Sequence, residues 1–196
     1  MDLSDILVPN NNLVNYYFFE KRFNDDEIQK IIELSNLYKK DIGNISGKID
    51  KTYRNSNITW LPFDTNTKYL YENVKDLIIT ANNRMWNFHI TTVKENLQLS
   101  EYVASNTGDA HGKYDWHMDF GQQASTRKLS MTIQLTDPSE YEGGDLEFMI
   151  HREIIKTPRS KGTVIIFPSY LQHRVTEVTS GTRHSLVTWF HGPPFI

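Results

Sequence analysis

Apolar residues follow two different periods along the chain, and the change between them divides it near residue 90. Before that point they recur at spacings of three and four, which gathers side chains on one side of an α-helix. Ile28, Ile31, Ile32 and Leu37 predict a first helix that ends near Lys40, before Gly43. Its start is marked by Asn24 as cap, Glu27 at the capping-box position and acidic residues at the positive end of the helix dipole. Leu70, Val74, Leu77, Ile78, Ala81 and Met85 predict a second helix over 66–86. Between them, 44–60 is polar, β-branched and aromatic, with Gly43 and Gly47 as turn markers, and reads as a hairpin or irregular strand pair. The aromatic run Tyr16-Tyr17-Phe18-Phe19 reads as a strand or as packing onto the first helix.

After Phe88 the period shortens. Extended runs cover 97–104, 113–120, 128–135, 145–149, 161–167, 172–178 and 184–190, closed by Gly143-Gly144, Gly162, Pro168 and Gly181. Strands at this spacing predict an antiparallel sandwich or jelly roll, so the fold is mainly β with supporting N-terminal helices. A single catalytic domain over 1–196 is expected, with 1–90 as a helical support region with outer strands and 91–196 as the jelly-roll core. In 129–135 the residues Ser130, Thr132 and Gln134 share one face and aliphatics the other. That alternation suits a surface strand with its polar face in water, or the mouth of a barrel holding a charged ligand.

Composition narrows the chemistry. With 196 residues, 38% hydrophobic, the chain is long enough for one domain with a substantial core. A net charge of −3 without a basic run gives no general attraction to nucleic acid or anionic membrane. The absence of cysteine excludes disulfides, zinc thiolates and thiol nucleophiles. Residues 1–12 lack the basic start and apolar core of a signal peptide, and no run approaches the roughly 18 apolar residues of a membrane span. A soluble, cytoplasmic protein is the expectation.

Seven histidines occur, and only His117 stands two residues from a carboxylate, Asp119, in an expected strand. Residues two apart in a strand share a face, so the pair can offer two adjacent ligands. His173, directly after an apolar run, is the candidate third ligand. Two histidines and one carboxylate with open positions opposite suit non-haem Fe(II) and O2 chemistry. Arg183 and Ser185, two apart on the last long strand, point a guanidinium and a hydroxyl the same way. A planar fork over a metal site suits the far carboxylate of a chelating 2-oxo acid. Tyr102 could add a phenolic hydrogen bond there, or be a core tyrosine. Trp116, Met118 and Phe120 are expected to pack into the opposite layer, and Trp189 to wall the co-substrate pocket or sit in the core. The turn-rich loop 105–112 is a candidate lid, and Arg127 and Tyr141 are candidate substrate contacts, or all are solvated loop residues.

From Leu97 onward the ordered set resembles the Fe(II)/2-oxoglutarate-dependent dioxygenases of the prolyl 4-hydroxylase type, more narrowly the PKHD-type hydroxylases. The resemblance lies in Tyr114-x-x-His117-x-Asp119, Leu129-Ser130-Met131-Thr132, Gly143-Gly144-Asp145-Leu146, Lys161-Gly162-Thr163 and the stretch from His173-Arg174-Val175 to Arg183. It covers about half of the chain, and Arg54-x-Ser56-x-x-x-Trp60-Leu61-Pro62 looks like an upstream family element. It implies a double-stranded β-helix, metal ligation by His117, Asp119 and His173, and 2-oxoglutarate anchoring by Arg183 with Ser185 and Tyr102. It implies Fe(II), 2-oxoglutarate and O2, with ascorbate admissible as an accessory reductant, and hydroxylation of a C–H bond coupled to formation of succinate and CO2. Many prolyl 4-hydroxylases carry Lys where this chain has Arg183; the charge is kept, but collagen-type specificity does not carry over with it. Three readings stand: hydroxylation of a peptidyl proline or other protein residue, the same chemistry on a free amino acid or small metabolite, and a non-catalytic jelly-roll metal- or ligand-binding module. A purely structural metal needs no 2-oxo acid anchor, so Arg183 weighs against the third. Oligomeric state is not legible in the sequence.

Overall fold

The computed structural model describes residues 15–43, 49–105 and 110–195. The signal-peptide reading of 1–12, part of the 44–60 expectation and the tip of the proposed 105–112 lid lie outside them. In chain order the elements are β1 (Tyr17–Phe19), α1 (Asp25–Leu34), β2 (Lys40–Ile42), β3 (Arg54–Asn55), β4 (Asn57–Leu61), α2 (Lys68–Met85), β5 (Leu97–Val103) and β6 (Lys113–His117). There follow β7 (Arg127–Gln134), β8 (Tyr141–Gly143), β9 (Leu146–Ile150), β10 (Glu153–Lys156), β11 (Val164–Pro168), β12 (His173–Val175) and β13 (Val178–His191).

Two antiparallel sheets result. The larger runs β1-β11-β7-β13-β5-β4-β2, with β8 paired to β13, and the smaller runs β10-β9-β12-β6-β3. This is the expected mainly β fold, and it explains the two patterns in the sequence. Leu129, Met131 and Ile133 of β7 join Leu97, Leu99, Val164, Ile166 and Leu186 in a core shared with Ile28 and Ile31 of α1 and Leu70, Val74 and Ile78 of α2. The helices therefore brace the outer face of the large sheet. A second cluster, Tyr102, Leu146, Phe148, Phe167 and Val175 among its members, fills the space between the sheets.

The cap of α1 is formed as the sequence predicts: Asn24 Oδ1 accepts from the Glu27 amide at 2.9 Å and Glu27 Oε2 from the Asn24 amide at 2.8 Å. The helix stops at Leu34, short of Lys40, and a 3-10 turn over Ser35–Leu37 follows. Ser35 and Asn36 are poor helix formers whose side chains compete for the backbone. The chain is then drawn extended by β2 pairing with β4. Leu37 ends on the surface, 62% exposed. Among the described residues no helix is long and apolar enough to cross a membrane.

The register of β13 organises the interior. Arg183 lies opposite Tyr102 and Ser185 opposite Ser100 on β5, while Ser185, Val187 and Trp189 lie opposite Gln134, Thr132 and Ser130 on β7. Residues directly across an antiparallel pair share a face. One row of β13 is thus flanked by polar rows on both neighbours, and all of Ser130, Thr132, Gln134, Gln98 and Ser100 are buried. The polar face of 129–135 is an inner wall and not a water-facing surface.

Candidate active site

A cavity of about 790 Å³ opens between the sheets, and its wall includes His117, Asp119, His173, Arg183, Ser185, Tyr102, Arg127 and Trp189. The three expected metal ligands converge. Their ligand atoms all lie within 4.8 Å of one another, and among the described residues no other such group forms. His117 and His173 face each other across the β6–β12 pair, with rings 4.1 Å apart. Asp119 arrives differently from the expectation. β6 ends at His117, so Asp119 sits in a bend beyond the strand and its carboxylate turns back toward the histidines.

Protein groups around the three fix what they present. His117 Nδ1 donates to the Asp115 carbonyl at 2.7 Å and His173 Nδ1 to the Leu171 carbonyl at 2.9 Å. Each ring thereby keeps its Nε2 lone pair for the centre, the arrangement that orients metal-bound imidazoles. Those Nε2 atoms lie 3.8 Å and 3.6 Å from the two Asp119 oxygens, too far to hydrogen-bond and close enough to share one ion. Burial, and then the neighbouring His173, hold His117 far below the usual imidazole range, so it is neutral at physiological pH. Burial works against the Asp119 carboxylate, but His173, His117, the Ser130 hydroxyl and Arg127 outweigh it and keep its pKa low. Ser130 Oγ donates to Asp119 Oδ2 at 2.6 Å and shares a 3.0 Å hydrogen bond with Ser169 Oγ. Tyr114 stacks on His117 with centroids 3.5 Å apart, and the Arg54 guanidinium covers the Tyr114 ring at 4.6 Å. Burial raises the Tyr114 hydroxyl to about 12, so it stays protonated.

Arg183 is 1% exposed. Its Nη2 donates to Gln134 Oε1 at 2.9 Å and its Nη1 to Ser185 Oγ at 3.4 Å, while Nε is buried without a hydrogen-bond partner among the described residues. A buried guanidinium with no carboxylate beside it is costly unless a ligand supplies the anion. Both halves of the site therefore fit the groups the sequence suggests. Two imidazoles that each turn Nε2 toward one carboxylate suit Fe(II), and an uncompensated buried fork suits a carboxylate co-substrate. Tyr102 lies with its ring 5.4 Å from the Arg183 guanidinium carbon.

Other expectations change. Met118 is 54% exposed at the cavity, not packed in a layer, because the strand has already ended. The Trp116 ring packs under the Arg174 guanidinium at 4.7 Å. Trp189 does wall the cavity, beneath Arg127. Tyr141 is buried against Arg159, outside the cavity wall, and leaves the set of substrate contacts. Sequence reasoning missed Gln134 as the partner of Arg183 and Ser130 as the partner of Asp119. The alternating polar face of β7 carried that signal.

Residues 97–191, from the start of β5 to the end of β13, match the family model of the 2OG-Fe(II) oxygenase superfamily. A PKHD-type hydroxylase of Synechococcus sp. (strain CC9311) is 41% identical over 93 residues, covering 47% of this chain and 42% of the relative. Another from Prochlorococcus marinus (strain NATL1A) is 30% identical over 130 residues, covering 64% and 56%. The chain thus spans about half the length of the curated relatives it matches. Among solved structures, a prolyl hydroxylase from Trichoplax adhaerens in complex with a hypoxia inducible factor oxygen degradation domain peptide fragment superposes with TM-score 0.75 at 18% identity, covering 90% of this chain and 83% of that one. A Pseudomonas putida prolyl-4-hydroxylase gives TM-score 0.72 at 16% identity, covering 91% and 93%. These superpositions place the chain in the jelly-roll fold of those enzymes.

Proposed function

We propose that this chain, whose residues 97–191 match the 2OG-Fe(II) oxygenase family model, is an Fe(II)- and 2-oxoglutarate-dependent dioxygenase that hydroxylates a C–H bond of a peptide, a prolyl residue first. The observation that carries the reading is the meeting in one cavity of His117, Asp119 and His173 with the buried, anion-lacking Arg183. The prolyl hydroxylases among its structural relatives, one of them in complex with a peptide fragment, favour a peptide over a free amino acid.

When bound, Fe(II) with 2-oxoglutarate supplies O2 activation coupled to decarboxylation of the oxo acid. The chain's residues prepare that chemistry. His117, Asp119 and His173 would hold the metal, and the Ser130 hydroxyl keeps Asp119 ionised and turned inward. Arg183, spread by Gln134 and Ser185, receives the far carboxylate of 2-oxoglutarate, with the Tyr102 ring beside it. The buried walls of Leu146, Phe167 and Val175 keep water from that half of the cavity. The open half, near Met118, Phe120 and Tyr53, admits substrate.

The test is anaerobic addition of Fe(II) and 2-oxoglutarate. A weak visible charge-transfer band is expected in the wild type and is lost in His173→Ala. Absence of the band, together with no succinate under O2 with ascorbate present, would refute the reading. Mass spectrometry for a product carrying one added oxygen, run across proline-containing peptides and free amino acids, identifies the substrate. Product from free amino acids alone would assign a small-metabolite enzyme instead.

A further inference from the structure

Asp119 is the one proposed ligand outside a strand, so no sheet ladder holds its main chain. Its carbonyl oxygen accepts instead from Arg127 Nη1 at 3.3 Å, and the next amide, of Phe120, donates to the Ser169 carbonyl at 3.0 Å. Together these fix the peptide plane from which the Asp119 side chain departs.

Arg127 is itself gripped on its other edge. Its Nε and Nη2 both donate to Glu95 Oε1, at 3.0 and 2.9 Å, which leaves Nη1 as the corner turned toward Asp119. One face of the guanidinium lies 4.0 Å from the Trp189 ring. The second Glu95 oxygen, Oε2, accepts from Nε2 of His191, whose Nδ1 hydrogen-bonds the Thr126 hydroxyl at 2.9 Å. His191 is 3% exposed at the end of β13, and its main chain is tied to Thr91 and Thr92. Neither Glu95 nor His191 lines the cavity.

We propose that Glu95 and His191 are positioning residues of the metal centre: they hold Arg127 in the one orientation that fixes the Asp119 main chain, and so set metal affinity without touching metal, co-substrate or substrate. The inference rests on the ligand assignment above. Arg127 opens β7 at the cavity wall with its Nε and Nη2 edge held by Glu95, and its free corner ends on a proposed ligand residue. Hydrogen-bonded partners behind metal ligands are worth about 10–100-fold in affinity when removed.

The test titrates the metal-free 196-residue chain with Co(II) under nitrogen, following the visible ligand-field bands. Wild type, Glu95→Ala, Glu95→Gln and His191→Ala are compared at a temperature where circular dichroism shows each folded. Glu95→Ala is expected to bind Co(II) about 10–100-fold more weakly, with Glu95→Gln and His191→Ala intermediate. In a separate turnover assay in air with saturating Fe(II), the KM for 2-oxoglutarate should equal the wild-type value, because Arg183 is untouched. Wild-type Co(II) affinity in folded Glu95→Ala would overturn the proposal; if that variant does not fold, unchanged affinity in Glu95→Gln and His191→Ala would do so. A loss of affinity that tracks only the loss of thermal stability across the variants would also overturn it, as simple fold damage. If wild type binds no Co(II), the ligand assignment fails as well, and the two failures are thereby distinguished.

Discussion

Replacing Arg183 by methionine separates its role as an anchor from any role in holding the fold. The side chain is fully buried and, among the described residues, makes two hydrogen bonds to neutral groups and leaves Nε without a partner. A buried charge without a counter-ion costs several kcal/mol, and exchange for an apolar side chain of similar length is often neutral or stabilising by about 1–4 kcal/mol. Without ligand, the Arg183→Met variant should therefore melt at or above the wild-type temperature, after allowance for the partners left behind in Gln134 and Ser185. The ligand response should behave oppositely. At 100 times its dissociation constant, 2-oxoglutarate stabilises a protein that binds it by about 2.7 kcal/mol. For a chain of this length that is roughly 5–10 °C in Tm, at about 2–4 °C per kcal/mol. The assay is thermal unfolding with Mn(II) in place of iron, with and without 2-oxoglutarate. Wild type should show the shift and Arg183→Met should lose it while keeping its shift with Mn(II) alone. A ligand-free variant destabilised by several kcal/mol that still responds to 2-oxoglutarate would refute the argument that the guanidinium awaits an anion.

Three other outcomes follow from the packing and charges. Gly144 has φ +62°, and a Cβ there would lie 2.9 Å from Arg183 Cδ, so Gly144→Ala should cost about 1–3 kcal/mol in urea unfolding and weaken the 2-oxoglutarate response together with it. Phe148→Ala removes a fully buried ring that packs against Phe167 and His173, and should cost about 3–5 kcal/mol by the same measurement. Glu101 is held down to about 2 by the His184 hydrogen bond first, against burial, with Lys40 and Asn57 adding to it. Its folded pKa lies below its ordinary value, so its contribution is complete above about pH 4.5 and is lost as pH falls toward 2. The shift bounds that contribution near roughly 3 kcal/mol, and its partial exposure reduces it to about 1–2 kcal/mol. Glu101→Gln should flatten the stability profile across that window and change little at the acid end of it.

The helices and strands were legible because each repeats a period over many residues: Leu70 to Ala81 at helical spacing, Leu129 to Leu135 at strand spacing. The cluster of His117, Asp119 and His173 could be proposed from the sequence because two of its members stand two residues apart and the third follows an apolar strand. What escaped was decided between strands distant in the chain. The Gln134–Arg183 contact depends on cross-strand register, which the polar alternation of β7 does not by itself fix, and the Ser130–Asp119 contact on a bend beyond β6 that carries the carboxylate back to β7. The same holds for Glu95, whose partners Arg127 and His191 come from β7 and β13. Met118 was misplaced because alternation was extended past the true end of β6, and Lys40 because Leu37 was counted into a helix that Ser35 and Asn36 close.

β13 runs from Val178 to His191 and carries Arg183, Ser185, Trp189 and His191 on alternate positions. Because side chains alternate with a period of two, adding or deleting one residue inside it would reverse the facing of every functional group beyond the change. Substitutions along this strand can be absorbed one at a time; a single-codon insertion or deletion between Gly181 and Trp189 cannot. Mutational scans should therefore find this segment among the least tolerant of length change in the chain, including at Thr182, which does not line the cavity.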